Sequence, residues 1–302
     1  MPLKFYIGLV SFSLSLFAIV LNLLIFIPVF RLAFVSKKST IYIIAFFNII
    51  SDLVQLFVNG FQLSASIMAD RYILSGDRLD FMNIFLGGLF ICAWYLESLV
   101  QIVMAVNRFV VITLNKKNIF TFKTTILIFV FLNFVAIFCA ICSQYLFPCC
   151  RFIADHQAMS YVLVNIEGLY PFSNLMIVFY DIFSSLLSSL CYISVFHTIR
   201  ISHKTVSANV KSNRSHQDIK YLFQFVYISI FYIFTWVCFE CLSFVVPISQ
   251  PEWYALVPIF AALNCSSNSI IYLTVNPEVQ KSLQRLWNRK KKAVGPISDP
   301  NF

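Results

Sequence analysis

Seven apolar stretches divide the chain, each longer than the roughly 20 helical residues that cross a hydrocarbon layer. They run Phe5–Phe30, Ile41–Ile67, Phe81–Asn107, Thr124–Phe147, Pro171–His197, Lys220–Pro247 and Trp253–Val275. Hydrocarbon offers no water to backbone N–H and C=O groups, so a crossing segment must be a helix or part of a closed barrel. Barrel strands alternate apolar and polar residues with a period of two. These stretches do not. The sequence predicts an all-α membrane protein, a seven-transmembrane helix bundle over residues 1–275. Composition agrees: 60% of the 302 residues are hydrophobic and only 12% charged, too few charges to coat a soluble domain.

The net charge of +9 sits on one side of that plan. Eighteen of the 22 Lys and Arg follow spans one and three, surround the fifth-to-sixth connection, or close the tail; Lys4, Arg71, Arg78 and Arg151 are the remainder. Basic loops stay cytoplasmic, so the amino terminus is expected outside and the tail inside. Asp70, Asp77, Asp80, Asp155, Glu167 and Glu252 make the outer loops acidic. Anionic inner-leaflet lipid accounts for the basic tail, and no nucleic-acid partner is expected. Span one is too long for a cleaved signal and reads as a signal anchor. Of nine cysteines, only Cys149 and Cys150 face the oxidising side, as a vicinal bond or as two free thiols.

Two loops are long. The second outer loop, 148–170, is placed to cover the external face, and the third inner loop, 198–219, carries basic and hydroxyl side chains suited to a protein partner. After the last span, Pro277 fits the first turn of a new helix, where a missing N–H costs nothing. Val279, Leu283, Leu286 and Trp287 then fall on one face, among Lys281, Arg285 and Arg289. That is the pattern of an amphipathic helix lying in the inner interface, expected at 276–289 and followed by a basic, then disordered, tail at 290–302. A frayed basic tail is the plainer alternative.

Four acids lie inside spans: Asp52, Glu97, Asp181 and Glu240. An ionisable group in hydrocarbon is expensive unless it faces a partner or a cavity, so each is a candidate functional residue. At helical rise, Asp52, Glu97 and Asn264 fall about 16–18 Å from the inner ends of their spans, with Asn48 and Asn268 one turn below. Two carboxylates and an amide in one layer can share a proton or hold a monovalent cation such as sodium at Asp52 and Glu97. Hydrogen-bonded packing of protonated acids is the alternative. Span three carries a longer stripe of Phe90, Trp94, Glu97, Gln101 and Arg108 on one face. Its upper part stands level with Asp181, Trp236 and Glu240. Together, Phe90, Trp94, Asp181, Trp236 and Glu240 are the expected lining of an outward-facing aromatic pocket for a small, cationic organic ligand. Aromatic packing alone would give the same spacing.

Several chemistries are disfavoured, and no enzyme activity is expected. A retinal protein needs a lysine in the last span, and 260–275 has none. A metal hydrolase needs clustered ligands, yet His156, His197, His203 and His216 all lie away from mid-membrane. An ion channel or transporter using Asp52 and Glu97 stays open as a rival, without the inverted repeats or broken helices common in transporters.

Short motifs then carry a resemblance. "NRF" at Asn107, Arg108 and Phe109 resembles the Asp/Glu-Arg-Tyr motif of rhodopsin-like G-protein-coupled receptors, and "NSIIY" from Asn268 to Tyr272 resembles their Asn-Pro-x-x-Tyr. Asp52 with Asn264 and Asn268 resembles their sodium layer. "MAVNRFVVI", "FPCCRF", "LNCSSNSIIYL" and "NPEVQKSL" resemble nematode serpentine chemoreceptors of class x over nearly the whole chain. The resemblance implies a receptor of sensory neurons, at the plasma membrane and in sensory cilia, that binds a small external cue and activates a heterotrimeric G protein. It implies switch roles for Asn107, Arg108, Phe109, Asn268 and Tyr272. Arg108 is expected to contact the G protein; snorkelling to phosphates is the alternative. The departures are plain: Asn107 replaces the acid, Ser269 replaces the proline, and Trp236 lacks the proline two residues later that makes the usual kink, having Cys238 there. Asn83 stands where a cysteine would tie span three to the second outer loop.

Overall fold

The computed structural model describes residues 2–293 apart from 75, 117, 167, 206–211 and 248. Six helices are long and apolar enough to cross a membrane: α1 (Leu3–Val35), α2 (Ile41–Ala69), α3 (Phe81–Thr113), α4 (Phe122–Leu146), α5 (Phe172–Ile201) and α7 (Pro251–Val275). The seventh, α6 (Ser212–Val245), contains the apolar segment Val226–Leu242. Helix α8 (Pro277–Ala293) follows the last span. Of the expected tail at 290–302, residues 290–293 continue α8, and the rest, like the middle of the third inner loop, lies outside the described residues.

The helices close into a ring in which α7 packs on both α1 and α6, while α3 contacts α2, α4 and α5. Polarity decides who stands inside. Spans α2, α3 and α7, which carry Asp52, Glu97 and the Asn264–Asn268 cluster, are 67–72% buried in their most apolar parts, whereas α1 and α4 are 28% buried there. In lipid the uniformly apolar helix belongs outside, and the helices with polar groups turn them toward one another. Four spans loosen into a π-helical turn, at Arg31–Val35, Val58–Ser64, Phe109–Thr113 and Cys142–Leu146. Such turns shift the face of the residues beyond them. Helix α2 ends where Asp70 adopts a left-handed φ of 50°, a conformation that short polar side chains tolerate.

The second outer loop folds into a hairpin of β1 (Arg151–Asp155) and β2 (Ser160–Val164), antiparallel, with Phe152 opposite Leu163 and Ala154 opposite Tyr161. Cys149 and Cys150, just before it, are bonded to each other. At the outer rim, Lys4 bonds Asp70 at 2.7 Å and holds that carboxyl below its ordinary range. Burial, then the nearby Asp155 charge, pushes the Tyr72 phenol up.

Helix α8 begins with a side-chain cap. The Asn276 carboxamide oxygen accepts from the N–H groups of Glu278 and Val279 at 3.1 and 3.2 Å, with Pro277 between. Tyr42 donates to Glu278 at 2.6 Å, tying this helix to the inner end of α2. Loss of a good cap costs about 1 kcal/mol, and Asp substitutes for Asn there. Asn276→Ala is therefore expected to fray the first turn of α8, read as faster amide exchange at 278–280, with Asn276→Asp close to wild type.

Candidate functional site

The polar side chains of the core form separate clusters at successive depths between the hairpin and Arg108. At the top, the hairpin is seated rather than free. Gln144, near the outer end of α4, donates to the Phe152 carbonyl at 2.7 Å and accepts from the Phe152 N–H at 2.8 Å. The same amide donates to the Ile84 carbonyl of α3 at 3.0 Å. Gly87 permits the approach, since a Cβ there would overlap the Phe152 carbonyl oxygen. Asp155 receives Arg78 at 2.9 Å and the Tyr72 hydroxyl at 3.0 Å. These contacts stand where the sequence lacks the cysteine at 83; Asn83 instead bonds Gln62 and the Arg78 carbonyl.

Seated this way, the hairpin puts two rings into the bundle. Tyr161 stacks on Phe90 with centroids 4.0 Å apart, Phe152 stacks on Phe90 at 5.8 Å, and the Tyr161 hydroxyl donates to Asn59 at 3.2 Å. Below them remains a cavity of about 20 Å³, lined by Phe90, Trp94, Phe152, Tyr161, Asp181 and Phe239 among others. That is room for roughly one water-sized group. Of the expected lining, Phe90, Trp94 and Asp181 are in place. Trp236 and Glu240 do not line it; the Trp236 indole is turned to α5, where it donates to Ser185 at 3.1 Å. The hairpin rings Phe152 and Tyr161 join the lining and leave the cavity small.

Asp181 is fully buried. Its Oδ1 accepts from Trp94 Nε1 at 2.9 Å and from the Tyr232 hydroxyl at 2.6 Å, and Tyr232 also meets Ser98 and Ser184. One turn lower, Glu97 accepts from Gln55 and from Asn264, both at 2.7 Å. Asp52 accepts from Asn48 at 3.1 Å and Asn268 at 2.9 Å. The expected central residues are thus gathered, as two neighbouring clusters. The donors to the two carboxylates are amides, and the Cys265 thiol adds a contact to Gln55 at 4.0 Å. Asp52 Oδ1 and the carboxamide oxygens of Asn48, Asn264 and Asn268 are buried without a hydrogen-bond partner. Such acceptors are costly to leave bare in a protein interior. A surplus of oxygen acceptors fits a monovalent cation or a shared proton.

Further down, Gln101 accepts from Ser229 of α6 at 3.2 Å. Asn107 and Tyr272 are buried, while Arg108 and Phe109 are half-buried at the inner end, with Arg108 within electrostatic reach of Tyr192 on α5. Sequence reasoning missed Gln55, Gln144, Asn59 and Tyr232. Gln55 had a signal, since it lies three residues after Asp52 and so near its face. Gln144 had one too, as an amide near the outer end of a largely apolar span.

The fold resembles squid rhodopsin, whose crystal structure superposes with a TM-score of 0.74 at 12% identity, covering 98% of this chain and 89% of that one. The molecule is therefore a seven-transmembrane protein of rhodopsin-like fold. Residues 12–274 match the family described as serpentine type 7TM GPCR chemoreceptor Srx, and the chain belongs to that family. A search of curated protein sequences finds no match.

Proposed function

We propose that this protein is a chemosensory receptor that binds a small external cue beneath the outer hairpin and activates a heterotrimeric G protein at its inner face. The reading places it in the plasma membrane with the amino terminus outside, including sensory cilia. One observation supports it: buried polar pairs stand at successive depths along α3, with Trp94 bonded to Asp181, Glu97 to Asn264 and Gln101 to Ser229, between the aromatic cavity and half-buried Arg108. Packed polar groups with two arrangements can couple distant sites, because a ligand shifts the population toward the state it binds better. In this reading Asn107, Arg108, Phe109, Asn268 and Tyr272 form the inner switch, and Arg108 meets the G protein when α6 swings outward.

The test is nucleotide exchange on purified G proteins by the receptor in lipid nanodiscs, under pooled small odorants. Arg108→Ala is expected to reach the surface at wild-type levels and to lose at least about tenfold in exchange, the equivalent of one charge-assisted hydrogen bond. Exchange equal to wild type would overturn the role of Arg108. Odorant-evoked current in cells lacking G protein would instead favour ion conduction through the carboxylate layer.

A further inference from the structure

The cavity under the hairpin has an uneven chemistry. Its potential donors are already engaged: Trp94 Nε1 and the Tyr232 hydroxyl beside it on Asp181, the Tyr161 hydroxyl on Asn59, and the Thr235 hydroxyl on the Phe231 carbonyl at 2.8 Å. What remains is a carboxylate oxygen. Asp181 Oδ2 is buried with no hydrogen-bond partner, and it is the only such side-chain atom among the described lining residues. Around it stand the rings of Phe90, Trp94, Phe152, Tyr161 and Phe239. Ring faces carry partial negative charge and attract cations. An anion would meet only acceptors and π faces. A neutral alcohol would gain one hydrogen bond without the ion pair and ring attraction that a cation adds.

We propose that Asp181 Oδ2 and the surrounding rings bind the ammonium group of a small alkylammonium ligand. The cavity, about 20 Å³, accepts a group of that size. The alkyl part then takes space now held by Phe152 and Tyr161, so binding lifts those rings. The outer loops favour the same sign of ligand, with six acidic residues, Asp70, Asp77, Asp80, Asp155, Glu167 and Glu252, against four basic ones. Such a field concentrates cations at the mouth. This inference deepens the chemosensory reading and rests on it for its physiological meaning.

Its test does not depend on coupling. The purified protein in nanodiscs, in phosphate buffer of constant sodium, is melted with isobutylammonium chloride and with isobutanol, which match in shape and differ in charge. The ammonium is expected to raise Tm by about 3 °C at about tenfold excess over its Kd, as linkage to the folded state requires, and the alcohol to leave it unchanged. Asp181→Asn, which keeps an oxygen for Trp94 and Tyr232, should weaken the ammonium effect at least about 100-fold, as expected for one partner lost from a buried charge pair. Equal shifts from both compounds, or no shift from either, would overturn the proposal on wild-type protein alone, whether or not the variant folds. An unchanged response in Asp181→Asn would overturn it as well. Ammonium binding without nucleotide exchange would support the site and count only against the receptor reading.

Discussion

Gln144→Ala unseats the outer hairpin and lowers the melting temperature of the purified protein by about 5 °C or more. The size follows from what one amide does. It satisfies both the N–H and the carbonyl of Phe152, and reaches the Ile84 carbonyl from the same nitrogen. Truncation leaves the two Phe152 groups buried and unpaired, each at a cost of about 1–3 kcal/mol. For a chain of this length one kcal/mol is worth about 2 °C. Gly87→Ala should act in the same direction by a different route. Its Cβ would meet Phe152 backbone, with the carbonyl carbon at 3.0 Å and the Ile153 Cα at 3.1 Å, and backbone cannot swing aside as a side chain can. Gly88→Ala is the control, because its Cβ would make an ordinary 3.4 Å contact with Gln144. A helical Gly→Ala change there should be neutral or gain up to about 1 kcal/mol. Melting curves and hydrogen exchange over 151–164 check all three. Wild-type protection of the hairpin in Gln144→Ala would show that the amide does not hold it.

The second large effect concerns the mid-membrane carboxylates. We expect sodium to raise the Tm of the wild-type protein relative to an equal concentration of potassium, and Asp52→Asn to abolish that difference. The residues that would hold the ion are Asp52, Asn48, Asn264 and Asn268, which present buried oxygens without donors, with Glu97 beside them. A bound sodium would supply positive charge that no described Lys or Arg supplies in that layer. The smaller ion suits a compact set of side-chain oxygens better. A hundredfold excess over Kd stabilises by about 2.7 kcal/mol, a shift of several degrees. A Tm indifferent to sodium but dependent on pH in the same way in both proteins would point to neither ion nor proton at Asp52. Indifference to sodium with a pH dependence lost in Asp52→Asn would assign the layer to a shared proton.

How much of this was legible beforehand depends on the range of the interaction. The seven spans follow from local apolar runs, and the start of α8 follows from Pro277 and the periodicity after it, both within a few residues. The central layer was reachable because helical rise alone sets depth; Asp52, Glu97, Asn264 and Asn268 needed no knowledge of loop structure. Facing was harder. Trp236 was placed by height with the pocket, yet its indole turns to Ser185 of α5, a choice that depends on how two helices rotate against each other. Residues 148–170 show in sequence only a covering loop, not a hairpin. Its register, and the insertion of Phe152 and Tyr161, depend on Gln144 and Gly87, which come from two different spans and gain meaning only once those spans are packed. The π-helical turns have no sequence signature in the pattern used, and they shift side chains by a fraction of a turn.

The clasp between Gln144 and Phe152 has a consequence for timing. A sulfur tether would keep the β-ribbon at the rim of α3 until something reduced it. Amide contacts let go and reform under thermal agitation, so the ribbon can lift away as a unit and return. A guest beneath it would then leave no faster than the ribbon rises, with no sulfur bond to α3 to break first.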